Sequence, residues 1–157
     1  LLKTYPDLEL LLVSRPNPGG KTEKLVKRLG IVDKVKFVSG ISTEQMVRYY
    51  AEAAIAVVPS VYEGFGLPAG EAMACGVPVV STDGGALPEV VGGAGVIVPA
   101  KNVDALTEAI DSLLQDEPRR ADLGLLARKR IEENFCWQVC ARQMTAYYWE
   151  VLGDEDG

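Results

Sequence analysis

The sequence predicts an α/β fold, a three-layer Rossmann-like parallel sheet with helices on both faces. Short apolar runs alternate with segments of helical periodicity, and that alternation builds parallel sheets covered on two sides. Turns rich in Gly and Pro stand between the runs, and no internal repeat or inter-domain linker interrupts them. At 157 residues the chain is long enough to bury a proper core as one domain.

Leu8–Val13 reads as a buried strand and Arg15–Gly20 as a loop. Lys21–Gly30 fits a helix with Leu25, Val26 and Leu29 on one face, ending at its glycine. Val35–Val38 is a second strand. Ser42 caps the next helix, with Gln45 at the capping-box spacing, and that helix runs to about Ala53. Ile55–Val58 is a third strand, and Leu67–Cys75 a short helix closed by Gly76 and Pro78. Pro78–Ser81 and Gly95–Val98 complete the strands, with a short helix near Pro88–Val91. From Asn102 the chain reads as three helices, to about Gln115, over Arg119–Asn134 and over Trp137–Leu152. Trp137 and Trp149 are expected to pack the terminal helices onto the body. The Arg128-Lys129-Arg130 run reads as a solvated helix face.

The opening, Leu1–Pro6, resembles the tail of a helix feeding a strand. A doubly wound domain places a first strand and its phosphate-binding turn before such a helix. The sheet is therefore expected to lack its first strand in this chain. Residues 1–152 make the domain and 153–157 an acidic tail.

Composition excludes several functions. Sixteen Lys and Arg against twenty-two Asp and Glu give a net charge of −6, with no basic footprint for nucleic acid. The absence of histidine removes Ser-His-Asp and Cys-His chemistry and most zinc sites. Three cysteines suit reduced thiols better than a disulfide scaffold. Cys136 and Cys140 are one helical turn apart, but without a second pair they make a poor metal site. No apolar run reaches the ~20 residues of a membrane span. The expected location is cytoplasmic, with the membrane surface as the other setting.

The densest chemistry lies between Ser60 and Gly76, where a strand gives way to a helix. Gly64 and Gly66 permit a sharp turn and close backbone approach, either for a ligand or only for the connection. Pro68 suits the first helical turn, and the free N–H groups there form an anion site. Glu71 lies on a helix apolar around its circumference, so the helix is expected to be buried and the carboxylate to need donors. A capping box would need Ser or Thr at position 68, where Pro stands. A polyol ligand supplies such donors, as ribose does in dinucleotide folds. Glu63, eight positions earlier, either faces the same cleft at the carboxyl ends of the strands or is a solvated loop glutamate.

Glu63 and Glu71 flank Gly64-Phe65-Gly66-Leu67-Pro68 in a pattern that resembles the Glu-x7-Glu motif of family 4 retaining glycosyltransferases, enzymes with two Rossmann-like domains. The similarity extends through Asp33–Gly40, Val58–Ser60, Ala72–Val80, Asp83–Val91 and Phe135-Cys136-Trp137. It covers nearly the whole chain and matches the family's C-terminal, nucleotide-sugar-binding domain of the GT-B architecture. The resemblance implies that Glu63 is the catalytic-site residue beside the donor sugar's hydroxyls. It implies that the N–H groups of Gly64, Phe65, Gly66 and Leu67 hold sugar and diphosphate, and that Glu71 binds the ribose hydroxyls. Ser39, Gly40 and Ile41 resemble the segment that meets the nucleobase, although a strand ending in Ser-Gly is also an ordinary turn.

The chain departs from the family pattern in two places. The early turn with the family's phosphate-binding Arg and Lys is not found, nor is the acceptor-binding domain. Ser14-Arg15-Pro16 stands where the family often has Gly-x-Gly, and Arg15 there reads first as a solvated loop arginine, with reach to the donor's diphosphate as the second reading. The implied function is retaining transfer of a sugar from a nucleoside diphosphate sugar to a sugar, lipid or small-molecule acceptor, without metal or other cofactor. This chain alone is expected to be inactive. A nucleotide-sugar binding or regulatory module and an epimerase of the same architecture are the alternatives.

Overall fold

A computed structural model describes residues 1–153, which form two units that divide between Arg48 and Tyr49. Of the expected acidic tail, residues 154–157 lie outside the described residues. Among the described residues no helix is long and apolar enough to cross a membrane.

In the first unit β1 (Leu10–Val13) pairs in parallel with β2 (Val35–Val38), Leu10 opposite Val35 and Val13 opposite Val38. The connecting helix α1 (Lys21–Leu29) stops at Gly30 in the left-handed conformation, φ 67°. Of its expected apolar face only Val26 is buried; Leu25 and Leu29 are exposed. β1 is not the buried strand the sequence suggests either, since Leu10 and Val13 are each 47% exposed. Two four-residue strands and one nine-residue helix offer too little apolar surface to enclose a strand on both faces. The opening residues form a single turn, with Tyr5 N donating to Leu1 O at 2.9 Å, where a helix tail was expected. α2 (Thr43–Glu52) begins with the expected capping box: Gln45 N donates to Ser42 Oγ at 3.3 Å and Ser42 N to Gln45 Oε1 at 2.9 Å.

The second unit carries the larger core. β3 (Ala56–Val58), β4 (Val79–Thr82) and β5 (Val96–Val98) form a parallel sheet with β4 central and wholly buried. Alternate β4 residues enter different clusters. Val79 joins Ala69 and Met73 of α3 (Leu67–Ala74), Leu87 and Val90 of α4 (Leu87–Val91), and Ala127 of α6 (Glu117–Asn134). Val80 joins Val98 with Ala109 and Leu113 of α5 (Val103–Gln115). The unit is thus a sheet between two helical layers. Asn102 caps α5, accepting from Ala105 N at 3.0 Å, and Asp116 caps α6, accepting from Arg119 N at 2.9 Å. α6 therefore starts two residues earlier than the sequence reading placed it.

The five strands make two sheets, β1-β2 and β3-β4-β5, where one was expected.

The last helix, α7 (Trp137–Gly153), buries none of its residues. Trp137 is 88% and Trp149 71% exposed, so neither does the packing expected of it. The basic run also divides. Arg128 and Lys129 pair with Glu132 and Glu133 on the surface. Arg130 turns inward instead, donating from Nε to Val90 O at 2.8 Å and from Nη2 to Glu89 O at 2.6 Å.

Candidate functional site

The turn between β3 and α3 is held in shape by its neighbour, the turn after β4. Thr82 Oγ1 donates to Ser60 O, and Ala86 N donates to Glu63 O at 3.0 Å. Gly85 has φ 61°, and a side chain there would drive its Cβ into the Glu63 carbonyl. Gly84 lies as tightly against Ser60 and Val61, 2.6 Å from the Ser60 oxygen at its would-be Cβ. The backbone that presents Glu63 is therefore clamped. Its side chain is half-buried, and Ser60 Oγ donates to Glu63 Oε1 at 3.0 Å.

Gly66 then turns the chain into α3 with φ 94°, a conformation that disfavours any side chain, and a Cβ there would meet Leu87 Cδ2 at 2.8 Å. Pro68 lies in the first helical turn, as expected. No side chain caps this helix and its first turn holds no acidic residue. Among the described residues nothing accepts from the N–H groups of Gly64, Phe65, Gly66 or Leu67. Four donors thus lie at and just before a positive helix end with no internal acceptor, an arrangement that suits an anion.

Glu71 departs from expectation. α3 is not buried all round: Ala69, Ala72 and Met73 face the core, while Leu67, Pro68, Glu71 and Ala74 are exposed. Its carboxylate therefore carries little of the burial cost that the apolar helix suggested. It does have a partner that sequence reasoning missed. The Tyr50 hydroxyl donates to Glu71 Oε2 at 3.4 Å, and also lies 3.3 Å from Pro68 O. Burial, then the negative charge of Glu71, pushes the Tyr50 hydroxyl up to about 12. Burial also raises the Cys75 thiol, with Glu71 adding to it.

Phe65 is braced from behind. Its ring meets Phe135 edge to face, centroids 5.8 Å apart at 81°, and the Arg130 guanidinium lies 5.8 Å from the Phe135 centroid. The motif Phe135-Cys136-Trp137 thus supports the glycine turn through its first residue. Ser60, Thr82, Gly84, Gly85 and Tyr50 are the supporting residues that the sequence analysis did not assign. The pair of glycines after Asp83 was the readable signal, since adjacent glycines mark close backbone approach.

The remaining expected residues belong to the first unit. Arg15 is exposed and lines a cleft of about 510 Å³ with Leu12, Asn17, Lys21 and Phe37. Ser39 and Gly40 are exposed and Ile41 half-buried, between the end of β2 and the Ser42 cap, with Gly40 at φ 67°. Among the described residues no three Cys, Asp or Glu side chains gather as metal ligands would.

The family model of glycosyl transferases group 1 matches residues 1–130. The chain belongs to this family. It is 46% identical over 155 residues to MMP alpha-(1->4)-mannosyltransferase of Mycolicibacterium hassiacum, across 96% of this chain and 38% of that protein. Among solved structures it is similar to sucrose-phosphate synthase of Thermosynechococcus elongatus, with 36% identity and a TM-score of 0.82 over 93% of this chain and 39% of that one. It is also similar to the C-terminal domain of a glycosyl transferase group 1 family protein of Francisella tularensis. There the identity is 28% and the TM-score 0.75, over 87% of this chain and 74% of that one. The chain has the fold of a C-terminal GT-B domain and spans well under half the length of the curated relative.

Proposed function

We propose that the second unit binds a nucleoside diphosphate sugar and that the protein transfers its sugar, with retention, to an acceptor held by an N-terminal domain. The four unpartnered N–H groups of Gly64, Phe65, Gly66 and Leu67, between two carboxylates, carry this reading. They suit the diphosphate, whose negative charge grows as the sugar departs, so donors already in place stabilise the transition state more than the ground state. Glu63, steadied by Ser60, accepts from donor-sugar hydroxyls. Glu71 accepts from the ribose hydroxyls, which an exposed carboxylate beside the turn can reach. Its donors come from the ligand and not from a buried surround.

The first unit contributes by resemblance. Ser39, Gly40 and Ile41 are assigned to the nucleobase, and Arg15 remains a candidate for the diphosphate. Similarity to a mannosyltransferase favours a hexose as the transferred group. Neutralisation by N–H groups and cations leaves no step that needs Mg²⁺ or Mn²⁺. The acceptor has to be held at near-attack distance with water excluded, which contributes about 7–11 kcal/mol in favourable cases. That requirement is why this chain by itself is expected not to turn over.

Incubating the protein that contains this chain together with its acceptor domain with GDP- and UDP-hexoses tests the reading. Sugar transfer that survives EDTA is the expected result. Epimer formation, binding without turnover, or a loss of transfer restored only by metal would each reject part of it.

A further inference from the structure

Glu71 is an exposed glutamate on an open helix face, free to occupy several rotamers unless something holds it. One group does. The Tyr50 ring packs against the core cluster that contains Ala69, Ala72 and Met73, so its position is set by the core. Its hydroxyl emerges between two acceptors on α3, Pro68 O at 3.3 Å and Glu71 Oε2 at 3.4 Å. A phenol has one proton to share between them. Glu71 Oε1 has no partner among the described residues.

We propose that Tyr50 is a positioning residue, holding Glu71 Oε2 so that Oε1 is presented to the ligand's hydroxyl groups. The inference rests on the ribose reading of Glu71 and adds to it the device that orients the carboxylate. The division is one oxygen to the protein and one to the ligand. The anchor is rigid because it is aromatic and core-packed, and it stays a donor at every working pH because its hydroxyl titrates near 12. Holding the first-turn carbonyl of Pro68 as well ties the orientation of Glu71 to the start of α3, where the four N–H groups lie. The covalent link between the ribose and the diphosphate of one nucleotide limits their separation, so fixing the carboxylate relative to the helix start favours the ligand that offers both.

Calorimetric titration of GDP, UDP and their 2′,3′-dideoxy forms into wild type, Tyr50→Phe, Glu71→Gln and the double variant tests this. Tyr50→Phe keeps the ring in the core, so its melting curve should follow wild type. It should weaken the preferred diphosphate roughly 3- to 10-fold and shrink the preference for the ribose over the dideoxy form. In the Glu71→Gln background it should change nothing further. Wild-type affinity in Tyr50→Phe, alongside a loss in Glu71→Gln, would overturn the role of Tyr50 and leave the ribose reading standing. The same loss from Tyr50→Phe in both backgrounds would show that Tyr50 does not act through Glu71, which also overturns it. Full affinity in Glu71→Gln with no preference for ribose would remove the ribose reading and this inference together.

Discussion

Two helices of this protein start in the same way and differ in what answers the donors that lead into them. α1 and α3 each follow a parallel strand through a glycine-containing turn, and each has a glycine at its N-cap, Gly20 and Gly66. In α1 two of the donors that lead into the helix are answered from within it and its turn. Gly19 N donates to Glu23 Oε2 at 2.5 Å and Gly20 N to Asn17 O at 2.9 Å. α3 has no acid in its first turn, a proline instead, and four preceding or leading N–H groups without acceptors. A helix start becomes an anion site when the sequence withholds the carboxylate that would otherwise complete it. Glycines alone do not separate the two cases.

The contrast breaks most severely at the clamp. Gly85→Ala would push a Cβ into the Glu63 carbonyl in a left-handed backbone conformation. It should cost about 3 kcal/mol or more of stability and abolish nucleotide binding, read by thermal melting and titration. A variant that melts and binds like wild type would show that the turn is not clamped. Glu71→Ala should lose about 2–4 kcal/mol of nucleotide affinity. Because Glu71 is exposed, its stability should move by no more than about 0.5 kcal/mol. Unchanged affinity would return Glu71 to the surface.

Leu67→Glu gives α3 the acid that α1 already has. Leu67 is 63% exposed, so the new carboxylate is not forced into the core. Diphosphate affinity should fall about tenfold, while stability rises by about 0.3–1 kcal/mol from the helix dipole. Tighter diphosphate binding in this variant would contradict the comparison. The smallest effect is expected at Glu23→Gln. Lys27, then the Gly19 N–H, holds the Glu23 carboxyl below the usual carboxylate range. A lowered folded-state value stabilises above the ordinary glutamate range and is lost as pH falls through the folded value. The difference in melting temperature between wild type and Glu23→Gln should therefore be present near about pH 7 and fade as pH falls through the folded value. An unchanged difference at both ends would show that Glu23 does not close α1.

The parts of this protein set by neighbouring residues were readable from the chain. The Ser42–Gln45 box, the Gly30 stop and the Pro68 start all depend on local backbone chemistry, and each lies where the pattern placed it. What depends on distant partners was not. The apolar circumference of α3 suggested burial, yet periodicity cannot say whether a second apolar surface exists to cover it, and Leu67 and Glu71 stand open. Trp137 and Trp149 misled for the same reason, hydrophobicity being read as burial. Arg130 misled in the opposite sense, because two carbonyls at the end of a distant helix make a guanidinium welcome inside. Tyr50 gave no signal at all: a tyrosine in an amphipathic helix is ordinary until the acceptor at its hydroxyl is known.

Arg130 also has a consequence in time. α4 has five residues, far fewer than a helix needs to persist by itself. Its carbonyls at Glu89 and Val90 are held by a residue 40 positions beyond Val90, on α6. The docking of α6 therefore satisfies the last carbonyls of α4, the helix into which the Gly84–Gly85 turn leads. During any excursion that lifts α6 away, the amides of α4 and of that turn should exchange with solvent as one unit, while the central strand β4 stays protected.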